Sequence, residues 1–124
     1  MQFDDLSNRI IGFAIDIHKQ LGPGLLESTY QNCLALELTQ AGISFEKEKK
    51  IDIVYKGSII ESAFKADFII DNKIIIELKS VQALSDVHIA QILTYMKLSK
   101  LQIGLLINFN VVLLKDGIKR YVQS

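Results

Sequence analysis

The sequence predicts an α/β sandwich, a mixed sheet flanked by helices, in a single domain spanning residues 1–124. Three observations predict it. Apolar residues recur at three- and four-residue steps near the N-terminus and again before Ser99, so helices open the chain and interrupt it later. Between them lie extended apolar runs, and Ile74-Ile75-Ile76 lacks alternation, which marks a central strand covered on both faces. The resulting order is two helices, three strands, a helix, one strand and a closing hairpin, an arrangement that packs helices on a sheet around one core.

The first helix starts at Asp4 or Asp5, either of which can cap it, and carries Leu6, Ile10, Phe13, Ala14, Ile17 and Leu21 on its apolar face. It ends at Gly22-Pro23-Gly24. A second helix follows at once, with Leu26, Tyr30, Leu34, Leu38 and Ala41 along one face and Gly42 as its stop. Ile43 to Tyr55 reads as a strand with Ile51, Ile53 and Tyr55 on one face, and its charged start, Glu46 to Lys50, suits a solvated edge. After a turn at Lys56-Gly57, Ile59 to Ile70 is the second strand and Lys73 to Leu78 the third. Ser85 or Asp86 caps a helix running to about Ser99, with Ile89, Ile92, Leu93 and Met96 on its apolar face. His88, Gln91 and Tyr95 share an adjacent face of that helix. Gln102 to Asn108 is a fourth, buried strand, and Val111 to Lys115 with Ile118 to Val122, joined by Asp116-Gly117, form the closing hairpin.

Composition narrows the function. No apolar run approaches the roughly 20 residues of a membrane span, and the N-terminus is acidic where a signal peptide is basic, so a cytoplasmic location is expected. Cys33 is alone, which excludes an internal disulfide and leaves a small core residue. Net charge is zero, which weakens any broad attraction to nucleic acid. The charge is uneven, however. Up to Glu46 there are two basic residues (Arg9, Lys19) against six acidic, and from Lys47 onward twelve against eight. The bland reading, that Lys47, Lys49, Lys50, Lys97, Lys100, Lys119 and Arg120 are solvated surface, serves each taken singly.

Within the second and third strands, Asp67, Glu77 and Lys79 place ionised groups in apolar runs, which is costly without a partner or a metal. Residues two apart on a strand share a face, so Glu77 and Lys79 point the same way and Leu78 the other. A two-residue turn would put Asp67 opposite Ile76. A three-residue loop, Asp71-Asn72-Lys73 with Asn72 or Lys73 in the left-handed region, puts it opposite Glu77, with Cβ atoms within roughly 5 Å. That loop, or an equivalent bulge, is expected. Carboxylates so close share a proton or bind a cation, and oxygen-only ligation favours Mg²⁺ or Mn²⁺ over zinc. Lys79 is then placed to activate a water or steady charge on a phosphate.

The Asp67-x9-Glu77-x-Lys79 pattern resembles the core of the PD-(D/E)xK nuclease superfamily, with Ala66 standing where its name has proline. The flanks Gly24-Leu-Leu-Glu-Ser-Thr-Tyr30 and Gln91-Ile-Leu-Thr-Tyr95 add specificity, and with their spacing the chain is similar to the small bacterial GxxExxxY protein family of that superfamily, from about Ile10 to Val122. The resemblance implies a restriction-endonuclease-like αβββαβ core, here with a preceding helix and a C-terminal hairpin. It implies a nuclease in which Asp67 and Glu77 hold the metal with help from the Leu78 carbonyl, Lys79 acts on the attacking water and Glu27 binds or tunes the metal. Gln91 and Tyr95 match a Q-x-x-x-Y motif that helps hold the site and the phosphate backbone in relatives.

Bland readings accompany these. Glu27 in a first turn also complements a helix dipole, worth about 0.3–1 kcal/mol. His18 either approaches the cleft or caps its own helix as a cation, and Tyr30 is a core residue or a support for the site. A helix with a polar face would carry His88, Gln91 and Tyr95 equally well. Two other function classes remain beside the enzyme: a nucleic-acid or protein binding module on the same fold, and an interaction protein whose closing hairpin or edge strand pairs with a second copy as a homodimer.

Overall fold

The computed structural model describes residues 2–123, with side chains from residue 5 onward. Helices α1 (Gln2–Leu21) and α2 (Glu27–Gln40) precede strands β1 (Phe45–Tyr55), β2 (Ser58–Ile70) and β3 (Ile74–Lys79); α3 (Asp86–Ser99), β4 (Ile103–Asn108) and β5 (Ile118–Val122) follow. The sheet order is β1-β2-β3-β4-β5. Only the α3 crossover makes a parallel pair, β3 with β4, and the other three pairings are antiparallel. The mixed α/β fold expected from the sequence is the one observed.

The triple isoleucine sits where its lack of alternation requires. Ile74 and Ile76 join Phe68, Ile70 and Leu105 beneath α1 and α2, while Ile75 joins Ile69 and Leu106 beneath Ile92 and Met96 of α3. Covered on both faces, β3 and β4 form the rigid middle of the sheet. Gly104 lets α3 lie close: a Cβ there would fall 2.5 Å from the Met96 sulfur. The Cys33 side chain is half-buried against the α1/α2 core.

Two expectations are corrected. α1 begins at Gln2, so Asp4 and Asp5 lie within the helix and not at its cap. The closing hairpin does not form. β5 pairs with β4, Ile107 opposite Ile118, so residues 109–117 are the connection between these two antiparallel strands and do not pair with β5. They run as a loop with Val112 89% exposed, then a single 3-10 turn, Leu114–Gly117, that buries Leu114. Gly117 packs directly on the Asn108 carbonyl and leaves no room for a Cβ.

Candidate active site

The hairpin between β2 and β3 turns through Asp71, Asn72 and Lys73, with Ile70 paired to Ile74. Asp71 and Asn72 both have positive φ (53° and 52°), one residue more than the expected single left-handed position. The ladder then runs Ile69 to Ile75 and Phe68 to Ile76, which aims Asp67 at Glu77.

There the strands stop pairing through their backbones. The Asp67 N–H donates to Glu77 Oε2 at 2.8 Å, and the Leu78 N–H donates to Asp67 Oδ2 at 2.8 Å. Each carboxylate replaces a ladder carbonyl on the other strand, so the strands fork while their polar groups stay satisfied. On the far side of β2, the regular β1 register skips Glu48, whose φ is 53°, opposite Asp67. The face of β2 also slips here. Phe64 and Ala66 pack on the α3 side, whereas Phe68 and Ile70 pack on the α1/α2 side.

The fork crowds negative charge in a dry place. Glu77 is buried, and its carboxyl is pushed up to about 8 by that burial first and by the neighbouring Asp67 second. Asp67, half-buried, is raised chiefly by burial, against the pull of its bond from Leu78 and the positive charge of Lys79. Glu27 raises both. Lys79, on the same face as Glu77, is the cation that opposes this trend at both acids. Each acid has committed one oxygen to a backbone N–H and keeps a second, which suits a hard divalent cation.

The Gly22–Tyr30 segment explains how Glu27 arrives. Gly22 and Gly24 take positive φ (77° and 96°), and the buried Tyr30 hydroxyl donates to the Gly22 carbonyl at 2.6 Å and accepts from the Leu25 N–H at 3.2 Å. Tyr30 is itself stacked on Phe109 at 4.2 Å. The loop so held sets Glu27 at the N-terminus of α2 against the end of β3, where the Ser80 N–H approaches its Oε2 at 3.4 Å and the Ser80 hydroxyl donates to the Leu25 carbonyl at 2.7 Å. Glu27 thus stands beside the acid pair without joining it. Among the described residues no three His, Cys, Asp or Glu side chains converge as a metal-holding group.

The remaining candidates separate. Tyr95 stacks on Phe64 at 4.1 Å, and its hydroxyl is raised by burial and then by Glu77 and Asp67, so it borders the acids. Gln91 is half-buried one helical turn earlier on α3. His88 instead closes the capping box of α3: its N–H donates to Ser85 Oγ at 3.3 Å and its Nδ1 accepts from the Ser85 N–H at 3.0 Å. His18 is engaged elsewhere, with Nε2 2.8 Å from the Val111 carbonyl.

One supporting residue escaped the sequence reading. Asn108, buried at the end of β4, receives the Val81 and Asn110 N–H groups at 3.1 and 3.2 Å and donates to the Val81 carbonyl at 3.0 Å. With the Phe109 N–H on the Lys79 carbonyl at 2.9 Å, it pins the chain just after Lys79. A polar residue closing a buried strand was the available signal.

A family model described as the PD-(D/E)XK nuclease superfamily matches residues 4–121. No curated protein matches. A solved structure described as "Crystal structure of SSO0001" is similar at 26% identity and a TM-score of 0.50, over 77% of this chain and 48% of that one. The chain therefore spans about half the length of that solved relative.

Proposed function

Since the chain belongs to the PD-(D/E)XK nuclease superfamily, we propose that it hydrolyses phosphodiester bonds of nucleic acid with Mg²⁺ or Mn²⁺. The single observation that supports this best is the fork, where two carboxylates of raised pKa face each other beside a lysine. Asp67 and Glu77 would hold the cation, and Glu27 would tune it from the end of α2. When bound, the cation lowers the pKa of a water and offsets charge on the phosphate. Lys79 orients or deprotonates the attacking water, and its ammonium favours the charge that grows on the phosphate. Gln91 and Tyr95 border the same side of the sheet and are assigned to substrate contact; His18, His88 and Tyr30 are assigned to the scaffold.

The finer family assignment, to the GxxExxxY proteins, is also proposed. It rests on the loop that Tyr30 organises around Gly24 and Glu27. The motif as it stands here has two residues between Glu27 and Tyr30, one fewer than that name specifies.

A binding module that does not turn over is the second reading, favoured by the incomplete ligand cluster and the zero net charge. Incubating single-stranded, duplex and flap DNA and matching RNAs with Mg²⁺, Mn²⁺ or Ca²⁺ decides between them. The enzyme cuts at least one substrate with Mg²⁺ or Mn²⁺, and Lys79→Ala abolishes cutting while the fold and metal affinity persist. Binding without cutting under any of these metals would establish the module instead.

A further inference from the structure

The loop before α2 is held at Leu25 from two sides. The Leu25 N–H donates to the Tyr30 hydroxyl at 3.2 Å, and the Leu25 carbonyl accepts from the Ser80 hydroxyl at 2.7 Å. The two bonds differ in what they join. Tyr30 belongs to α2, so its bond closes the loop on its own helix, whereas Ser80 follows directly on Lys79 at the end of β3. Ser80 therefore ties the start of α2 to the strand that carries Glu77 and Lys79. Its backbone N–H serves the same junction, 3.4 Å from Glu27 Oε2. That second contact is long and the hydroxyl bond is of normal length, so the hydroxyl makes the tie and the N–H receives the carboxylate that the tie brings to it.

Ser80 is itself a fixed post. On one side of it the Lys79 carbonyl accepts from the Phe109 N–H at 2.9 Å. On the other the Val81 N–H donates to Asn108 Oδ1 at 3.1 Å, and the Val81 carbonyl accepts from the Asn108 and Asn110 carboxamides at 3.0 and 3.3 Å. β4, which supplies Asn108, is buried along its whole length, so the post stands on the rigid middle of the sheet. Glu27 needs such a post. It is exposed in the first turn of α2, whose N-cap, Leu26, makes no side-chain capping bond, and a glutamate left to itself there would spread over its rotamers. Its charge also works against the ionised forms of both Asp67 and Glu77, so the acid pair repels it until a cation reverses the sign of that interaction.

We propose that Ser80 is a positioning residue for Glu27: its hydroxyl fixes Leu25, its N–H receives the Glu27 carboxylate, and together they keep that carboxylate beside Asp67 and Glu77 before any cation arrives. A divalent cation entering the fork then meets a third acid already in place, and the cost of ordering it is not charged to binding. This rests on the cation site proposed above and adds no ligand to it. Glu77 and Lys79 do not depend on the Ser80 hydroxyl, because the ladder to β4 holds them, Glu77 opposite Leu106 and Lys79 opposite Asn108.

The test is a double-mutant cycle read as metal affinity. Mn²⁺ is titrated calorimetrically into the chelator-treated native chain, Ser80→Ala, Glu27→Gln and the variant carrying both, all checked for folding by circular dichroism and urea unfolding. Ser80→Ala keeps the backbone N–H, loses the tie to Leu25, and should bind Mn²⁺ roughly tenfold more weakly than the native chain. In the Glu27→Gln background the same change should alter the affinity by no more than about twofold, because the hydroxyl acts through Glu27. Thr39→Ala removes a similar hydroxyl-to-carbonyl bond, 2.8 Å to Ala35, at the far end of α2, and should keep the native affinity. Native affinity in Ser80→Ala, or an equal loss in Thr39→Ala, would overturn the proposal. So would the same loss from Ser80→Ala in both backgrounds, which would show that Ser80 supports the fold or the acid pair and not Glu27. A native chain that binds no Mn²⁺ would remove the cation site and the proposal together. Cleavage with Mg²⁺, assayed separately, judges the nuclease reading alone: the full cycle without cleavage removes that reading and leaves Ser80 in its role.

Discussion

The two halves of β2 are opposite in character. From Ala66 to Ile70 the strand is buried almost throughout and paired to β1 on one side and, from Phe68, to β3 on the other. From Ser58 to Ala63 it is exposed at every position and has β1 as its partner. Asp67 sits at the transition. One half is a rigid platform and the other leaves apolar side chains exposed; one strand has both by changing its cover along its length. The fork at Asp67 is where the change happens, since the β2–β3 ladder ends there and side chains take over its bonds.

Substitutions at matched positions on the two halves sharpen this contrast. Phe68, fully buried against Phe45 and the α1/α2 core, should cost roughly 3–5 kcal/mol when changed to alanine. Ile59→Ala on the exposed half should stay within about 0.5 kcal/mol. Urea unfolding of both variants measures the difference, and comparable losses would mean that the exposed half is part of the cooperative core.

The second effect is a pH dependence confined to the buried half. The Glu77 carboxyl, about 8 in the folded chain against an ordinary 4.5, keeps a proton that the unfolded chain releases between those values. The stabilisation is complete below about 4.5 and is lost as pH rises through about 8; Asp67, also raised, acts in the same direction. In chelator-treated buffer the melting temperature should therefore fall across that window. Glu77→Gln, which imitates the protonated acid, should flatten the fall, and an unchanged slope would assign the titration to another group.

A smaller effect is expected where the loop before α2 is held. Tyr30→Phe removes the bonds to Gly22 and Leu25 but keeps the stack on Phe109, and should cost about 1 kcal/mol in thermal or urea unfolding. A loss no larger than that of Ile59→Ala would show that the ring alone holds the loop.

How much of this was legible in the sequence varies with the physics involved. The strands, the central place of Ile74-Ile75-Ile76 and the aim of Asp67 at Glu77 follow from a period of two and a loop length, both visible in the letters. The exchange of bonds between the two acids was not visible, because parity fixes which face a side chain takes and says nothing of whether the backbones part. Val111 to Lys115 misled for a related reason. An apolar run reads as a strand, but here it lies in the connection that carries the chain from β4 to its antiparallel neighbour β5, and Leu114 goes into the core. His88 read as a site candidate by sharing a face with Gln91 and Tyr95, yet its three-residue spacing from Ser85 was also that of a capping box.

The acid pair as a cation site is tested most directly by titrating Mn²⁺ or Mg²⁺ into the chelator-treated protein and following the melting temperature. Binding to the folded state alone should raise it with metal concentration in the native chain, and an Asp67→Ala/Glu77→Ala variant should show no such rise. An equal rise in that variant would contradict a cation held at the fork.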